Sequence, residues 1–357
     1  MEEIKLMKGN EVLAHAAVRF GADGYFGYPI TPQSEVLETL AELKPWETSG
    51  MVVLQAESEL AAINMVYGGS AVGKRVMTST SSPGLSLMCE GLSYLAGAEL
   101  PCLLVNVGRG GPGLGTIQAS QADYYQCTKG GGHGDYKMYV IAPNSVQEMN
   151  DFVEVGFDVA FKYRIPSMIL TDGVIGQMME KVTLSPIKPR WTEEEMIQNA
   201  PWAASGRKNR TNNIITSVEL DAYDLEDRNH VLQAKYKLIE ENEVRYEEFM
   251  TEDAEYILIA YGISSRICAK TVEIARAEGI KLGLLRPITL FPFPTKRINE
   301  LAQTVKGMLA VELSAGQMVD DVKLAVECKI PVEHFGRLGG VLHTPNEVLE
   351  AFKKFIK

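Results

Sequence analysis

The sequence predicts an α/β protein with a larger and a smaller parallel-sheet domain, and three observations support this fold class. Short, nearly continuous apolar runs alternate with amphipathic stretches over residues 1–175, as in βαβ units whose sheet is covered on both faces. A charged, proline-containing section over 180–250 interrupts the alternation, and residues 254–357 resume it. The 357 residues are enough for two or three domains.

We place the first domain at residues 1–180. Apolar runs predict its strands at 24–29, 51–55, 75–80, 102–108, 138–141 and 167–171. Amphipathic periodicity predicts its helices near 9–20, 33–44, 58–72, 85–98 and 144–162.

Residues 181–250 are predicted to form a linker and a charged helix. Pro186 and Pro189 break the alternating pattern, and a highly charged helical stretch follows from about 221 to 249. The second domain is placed at 251–357. Its predicted strands lie at 255–261, 281–286, 308–313 and 330–335, and its helices near 264–279, 295–305, 317–328 and 345–356.

The charge balance argues against several classes of partner. Lys and Arg total 35 and Asp and Glu total 46, which gives a net charge of −11. Nucleic acids and anionic membrane surfaces need basic patches, so we expect neither as a partner. The sequence begins with charged residues, and no run approaches the roughly 18 apolar residues of a membrane helix. We expect a cytoplasmic protein without a signal peptide.

The cysteines are too dispersed for a shared structural role. They lie at positions 89, 102, 127, 268 and 328, with no C-x-x-C pair. A disulfide framework and an iron–sulfur cluster both need closer or more numerous thiols, so we expect neither on this chain. We also predict no metal site.

Three loops that follow predicted strands carry the candidate chemistry, because open α/β sheets bind ligands at the carboxyl ends of their strands. In Gly27-Tyr-Pro-Ile-Thr-Pro32, two prolines stiffen the backbone around Thr31. The same segment is also compatible with a simple helix N-terminal turn.

The second loop, Gln55-Ala-Glu-Ser-Glu59, places two carboxylates at the start of a helix. Acidic residues there stabilise the helix N-terminus, which is the ordinary interpretation. The alternative is that Glu57 or Glu59 points into a buried cleft and acts in proton transfer.

The third loop, Asn106-Val-Gly-Arg-Gly-Gly-Pro-Gly-Leu-Gly115, is glycine-rich and contains Arg109. It lacks both the P-loop and the dinucleotide-binding pattern. A guanidinium beside flexible backbone N–H groups suits a carboxylate, although a solvated surface loop is equally compatible. A second glycine cluster at 130–135 contains His133 and could line the same cleft.

Taken together, these segments resemble the 2-oxoacid:ferredoxin oxidoreductases, in particular their alpha-type subunit. The second domain agrees, because Leu285-Arg-Pro-Ile-Thr-Leu-Phe-Pro-Phe-Pro294 and Val311-Glu-Leu-Ser-Ala-Gly-Gln-Met318 are similar to its motifs. The resemblance implies a pyrimidine-type thiamine diphosphate-binding domain followed by a transketolase C-terminal-like domain. It covers most of the chain and is weakest over 180–240.

Within the family, the motifs are most similar to branched-chain members, which act on 3-methyl-2-oxobutanoate. The 2-oxoglutarate enzymes share the main loops and remain an alternative, as does a non-catalytic scaffold subunit. A dicarboxylate substrate should recruit a second basic residue. The basic residues near the loops, other than Arg109, are Lys74, Arg75 and Lys129. This scarcity favours an apolar substrate.

The resemblance also implies roles for individual residues. Glu59 matches the glutamate that activates the cofactor, and Glu57 is the weaker candidate for that position. Pro29 and Ile30 would contact the cofactor. Thr31 and Arg109 match the residues that bind the 2-oxoacid substrate, whose carboxylate Arg109 would pair with.

The sequence carries only part of the expected active site. The G-D-G motif that holds diphosphate and Mg²⁺ is absent, and so is a cysteine cluster. The resemblance therefore implies partners: an iron–sulfur subunit that binds the diphosphate and Mg²⁺, a gamma-type subunit, a ferredoxin-like subunit and ferredoxin. The [4Fe–4S] clusters would lie on partners, coenzyme A would be a co-substrate, and the assembly would be a homodimer or a dimer of hetero-oligomers.

Overall fold

The computed structural model describes residues 3–206 and 211–357. Its strands, in chain order, are β1 (Glu3–Lys8), β2 (Gly24–Gly27), β3 (Val52–Gln55), β4 (Val76–Thr80), β5 (Cys102–Gly108), β6 (Tyr139–Ile141), β7 (Pro166–Asp172), β8 (Met179–Leu184), β9 (Tyr246–Phe249), β10 (Tyr256–Ile259), β11 (Leu282–Pro287), β12 (Thr289–Phe291), β13 (Gly307–Glu312) and β14 (Val332–Gly336).

The helices alternate with these strands along most of the chain. They are α1 (Gly9–Phe20), α2 (Ser34–Leu43), α3 (Pro45–Thr48), α4 (Glu59–Ala71), α5 (Ser82–Gly97), α6 (Tyr124–Thr128), α7 (Val146–Tyr163), α8 (Gly173–Gln177), α9 (Glu193–Asn199), α10 (Ala222–Asn242), α11 (Gly262–Ala277), α12 (Thr295–Ala302), α13 (Met318–Ala325) and α14 (Pro345–Phe355).

Within the described residues, the larger sheet has the order β12-β6-β7-β5-β4-β2-β3. All its neighbouring strands run parallel except β12, which pairs antiparallel with β6. Every residue of β4, β5, β6 and β7 is buried, as expected for parallel strands with helices on both faces. The edge strand β3 is largely exposed.

The smaller sheet has the order β14-β13-β10-β11-β9. Its strands are parallel except β9, which runs antiparallel to β11. A separate antiparallel ribbon joins β1 to β8. No helix in the part of the chain that the structure describes is long and apolar enough to span a membrane.

The predicted α/β fold is confirmed, and all ten predicted strands are present with small shifts at their ends. The charged helix predicted over 221–249 is wrong at its C-terminal end. It stops at Asn242, and Tyr246–Phe249 form β9 instead. This segment hydrogen-bonds to the open edge of β11, where Arg286 Nη1 lies 3.1 Å from Glu247. Strand pairing of this kind overrides the local helical pattern.

Strand pairing also links the two halves of the chain. The short strand β12 comes from the second half of the sequence yet extends the larger sheet beside β6. The division of the chain at residues 180 and 250 stays a prediction.

The parallel order β3-β2-β4-β5 brings the three candidate loops together. The segments after these strands all leave the same edge of the sheet, at the carboxyl ends. They contain Glu59, Thr31 and Arg109. The fold therefore gathers residues that are far apart in sequence.

Candidate functional site

The two carboxylates of the second loop, Glu57 and Glu59, lie in different environments. Ser58 caps α4 by accepting a hydrogen bond from the Ala61 N–H at 3.2 Å, and this places Glu59 at the first helical position. Glu59 is only 5% exposed, whereas Glu57 is exposed. Among the described residues, none donates a hydrogen bond to the Glu59 carboxylate or forms an ion pair with it. A buried acid of this kind is available to a ligand.

The start of α5 packs directly against this carboxyl group. A methyl group at Gly84 would lie 2.5 Å from Glu59 Oε1 and 2.2 Å from Thr80 Oγ1, so a glycine is needed here. The hydroxyls of Thr80 and Ser81 are buried and have no hydrogen-bond partner within the described ranges. Unpartnered buried polar groups are costly, and their grouping indicates a place for a polar ligand.

The structure brings Arg109 into contact with the backbone of Thr31. Arg109 Nη1 donates to the Thr31 carbonyl oxygen at 2.8 Å, and Nη2 donates to the Leu114 carbonyl at 3.1 Å. Arg109 is 7% exposed as a whole residue, and its Nε has no hydrogen-bond partner among the residues described. Arg109 thus joins two loops and keeps further N–H groups for a ligand. The Thr31 residue itself is exposed, and Pro29 and Ile30 are half-buried.

A cavity of about 460 Å³ lies beside Arg109, between the glycine-rich loop and the second half of the chain. Ser82, Asp123, Leu313 and Leu338 contribute to its lining. Of the described residues that line it, Arg109 is the one cation. The cavity therefore offers a positive partner to one carboxylate of a ligand, and none to a second carboxylate.

Asp123 is an acidic group in this cavity that sequence reasoning missed. Its Oδ2 accepts hydrogen bonds from Ser82 Oγ at 2.6 Å and Asn106 Nδ2 at 2.9 Å. Burial raises the pKa of the Asp123 carboxyl, although these two hydrogen bonds act in the opposite direction. Ser82 Oγ also accepts from the Arg109 backbone N–H at 2.9 Å. No pattern in the sequence marks Asp123 as part of the site.

The basic residues noted near the loops are held elsewhere. Lys74 lies 3.9 Å from Asp23, and the Arg75 guanidinium lies over the Trp191 ring. Lys129 forms an ion pair with Asp321 at 2.5 Å. None of the three lines the cavity.

Neither His133 nor the buried Asp172 lines the cavity. His133 is exposed, lies edge-on to Tyr94, and does not line the cavity. Asp172 caps α8 by accepting from the Val174 and Ile175 N–H groups, at 2.9 Å and 3.2 Å. Burial raises the pKa of Asp172 to about 6. In residues 3–206 and 211–357, no group of three or more His, Cys, Asp or Glu side chains could hold a metal ion.

Comparison with known sequence families places these features in context. The family described as pyruvate flavodoxin/ferredoxin oxidoreductase, thiamine diphosphate-binding, matches residues 15–251. The family described as pyruvate:ferredoxin oxidoreductase core domain II matches residues 254–348. The two matches together span most of the chain.

Individual relatives give the same result. The ketoisovalerate oxidoreductase subunit VorB of Methanothermobacter marburgensis is 51% identical over 98% of this chain and 97% of its own length. The 2-oxoglutarate synthase subunit KorA of Methanothermobacter thermautotrophicus is 34% identical, over 99% of both chains.

A solved structure extends the likeness to three dimensions. The 2-oxoglutarate:ferredoxin oxidoreductase from Magnetococcus marinus, with 2-oxoglutarate, coenzyme A and succinyl-CoA bound, superposes with a TM-score of 0.87 at 26% identity. The match covers all of this chain and 66% of the longer chain. A split-gene transketolase at 13% identity and a TM-score of 0.61 shares the fold alone. The chain therefore belongs to the 2-oxoacid:ferredoxin oxidoreductase family, as its motifs predicted.

Proposed function

We propose that this chain supplies the aminopyrimidine half of a thiamine diphosphate site in a 3-methyl-2-oxobutanoate:ferredoxin oxidoreductase. The reaction is the oxidative decarboxylation of a branched-chain 2-oxoacid with coenzyme A, which yields acyl-CoA and CO₂ and reduces ferredoxin, an iron–sulfur protein. The observation that carries the proposal is the buried Glu59 carboxyl, which has no partner among the described residues.

The residues around Glu59 fit the polar edge of an aminopyrimidine ring. Its carboxyl and the unpartnered hydroxyls of Thr80 and Ser81 offer both donors and acceptors. Glu59 would hold a proton between its carboxyl oxygen and a ring nitrogen, and Pro29 and Ile30 would contact the ring. When bound, thiamine diphosphate would supply an acidic thiazolium carbon as the nucleophile for the 2-oxoacid. The role of Glu59 is to make that proton transfer easier.

Arg109 and Thr31 would bind the 2-oxoacid. The guanidinium is fixed by the Thr31 and Leu114 carbonyls, so its orientation is set before substrate arrives. Its remaining N–H groups, including the unpartnered Nε, would donate to the substrate carboxylate. A substrate held this way reacts from a defined geometry.

The cavity favours a branched apolar side chain over that of 2-oxoglutarate. Its described lining offers no cation except Arg109, and Asp123 adds an acidic group. A second substrate carboxylate would lie there without a positive partner, which costs several kcal/mol in a buried site. The higher identity to the VorB relative than to the KorA relative points the same way.

Kinetics of the reconstituted complex test this substrate class. We expect kcat/KM for 3-methyl-2-oxobutanoate to exceed that for 2-oxoglutarate by about 100-fold or more. Equal or reversed values would contradict the proposed specificity and favour the 2-oxoglutarate alternative.

Partner subunits would complete the site. We propose that they supply diphosphate and Mg²⁺ binding and the [4Fe–4S] clusters, through an iron–sulfur subunit, a gamma-type subunit and a ferredoxin-like subunit, in a cytoplasmic dimer of hetero-oligomers. The missing G-D-G motif and the scattered cysteines support this. Calorimetry should detect tight thiamine diphosphate binding only when the diphosphate-binding subunit is present. Micromolar binding to this chain alone would contradict the proposal.

A further inference from the structure

The smaller sheet has a ligand-binding crevice of the kind found in open α/β folds. β11 lies on one side of β10 and β13 on the other, so the chain order reverses between β10 and β13. At such a reversal the segments that follow the two strands diverge and leave a crevice at the carboxyl ends. Small molecules usually bind there.

In this chain the crevice is filled by Gln121, a residue of the first half. Its Nε2 donates to the Tyr261 carbonyl at 2.9 Å, just beyond β10. Its Oε1 accepts from the Leu313 N–H and from Ser264 Oγ, each at 2.8 Å. Gln121 is 4% exposed. The amide thus bridges the ends of both strands.

The backbone adjoining the crevice is shaped around this side chain. Gly262 has a φ of +54°, and a methyl group there would lie 3.0 Å from Gln121 Nε2. The backbone N–H of Gln121 also donates to the Leu313 carbonyl at 3.0 Å. Ser120 Oγ donates to the same carbonyl at 3.3 Å. These contacts hold Gln121 against the carboxyl ends of both strands.

Gln121 ends the loop that begins at Arg109. The N-terminal and C-terminal ends of this loop are joined by a β-bridge between Arg109 and Ala119 and by a hydrogen bond from the Gly110 N–H to the Gln118 carbonyl at 2.9 Å. The C-terminal end of the loop therefore helps to hold Arg109 in position. Gln121 anchors this end of the loop to the smaller sheet.

We propose that Gln121 is a positioning residue for substrate binding, and that the second sheet serves as the anchor of the Arg109 loop. This inference rests on the proposed role of Arg109 in binding the 2-oxoacid carboxylate. Loss of the anchor should weaken substrate binding. It should not affect proton transfer at Glu59, because Glu59 follows a different strand, β3.

The test uses Gln121→Ala and Gln121→Glu in the reconstituted complex. Glutamate keeps the two accepted hydrogen bonds but loses the donor to the Tyr261 carbonyl. We expect both variants to raise KM for 3-methyl-2-oxobutanoate by about 10-fold, with the larger rise for alanine. Exchange of the thiazolium proton without substrate, and kcat, should stay within about threefold of wild type.

Tyr125→Phe is the matched control. It removes the hydrogen bond from Tyr125 to Asp320, which also joins the two halves of the chain but lies outside the crevice. KM should be unchanged in this variant. If Gln121→Ala does not assemble, Ser264→Ala removes a single bond to Oε1 and should still raise KM.

The outcomes separate this inference from the proposed function. If Arg109→Ala raises KM while the Gln121 and Ser264 variants do not, the anchoring role is wrong and the proposed function stands. If Arg109→Ala leaves KM unchanged, the proposed role of Arg109 in substrate binding is wrong, and the anchoring role of Gln121 falls with it. A rise in KM accompanied by a fall in kcat, in the rate of proton exchange and in the melting temperature of the Gln121 variants would show a merely structural role and overturn the inference.

Discussion

Arg109 offers the sharpest separation between substrate binding and cofactor chemistry. The structure gives its guanidinium two tasks: it holds the Thr31 and Leu114 carbonyls, and it is the one cation among the described residues that line the cavity. Arg109→Ala removes both tasks, and Arg109→Lys keeps the charge but loses the two-pronged geometry. The pair of variants therefore distinguishes charge from shape.

The expected size of the effect follows from these contacts. A hydrogen bond to a charged group contributes about 1.5–3 kcal/mol, which corresponds to about 10- to 150-fold in kcat/KM. Loss of the two carbonyl contacts would add about 0.5–1.5 kcal/mol each to the destabilisation of the loops. We expect Arg109→Lys to recover part of the kinetic loss.

The assay combines steady-state kinetics with proton exchange. Rates of the reconstituted complex are measured against 3-methyl-2-oxobutanoate at saturating coenzyme A and ferredoxin, and hydrogen–deuterium exchange at the thiazolium carbon is measured without substrate. Arg109→Ala should lower kcat/KM and leave exchange intact. An unchanged kcat/KM, or a loss of exchange as large as the loss of kcat/KM, would contradict the role of Arg109 in substrate binding.

Three further predictions follow from the same geometry. Gly84→Ala places a methyl group 2.5 Å from Glu59 Oε1 and should lower kcat on the order of 10²-fold, whereas Gly68→Ala in the same helix as Glu59 meets nothing within 4 Å and should be silent in the same kinetic assay. Asp123→Asn keeps an acceptor for Ser82 and should raise kcat/KM for 2-oxoglutarate relative to the branched acid, a ratio that competition assays measure. Asp172 has its folded-state pKa raised to about 6, so the wild-type chain should lose about 2 kcal/mol of unfolding free energy, relative to Asp172→Asn, as the pH rises from about 4 to about 6. Urea unfolding at both pH values measures these free energies. An equal change in the free energy of unfolding of the two proteins would contradict the prediction.

Local patterns were sufficient to predict most elements of the fold. The buried parallel strands are continuous apolar runs, so β5 was predicted with both its ends correct. The strands β1 and β8 were missed because they are mixed in polarity and pair only with each other. β9 was mistaken for helix, since its pairing partner β11 lies about 35 residues further along the chain.

The candidate site was predictable only where it follows strands. Glu59 and Arg109 could be selected because the carboxyl ends of parallel strands gather their loops at one edge. Asp123 and Gln121 carry no local signal, because their roles depend on contacts with distant residues such as Asn106 and Leu313. Such contacts become visible only in three dimensions.

Hydrogen–deuterium exchange at the thiazolium carbon of the reconstituted complex measures directly whether Glu59 activates the cofactor. Glu59→Gln keeps the size of the side chain and removes its acid–base function, so exchange should slow by about 10²- to 10⁴-fold. The exposed neighbour provides the matched control, because Glu57→Gln should leave the rate unchanged. An exchange rate in Glu59→Gln equal to that of wild type would contradict the account, and a selective loss in Glu57→Gln would assign the role to the other carboxylate.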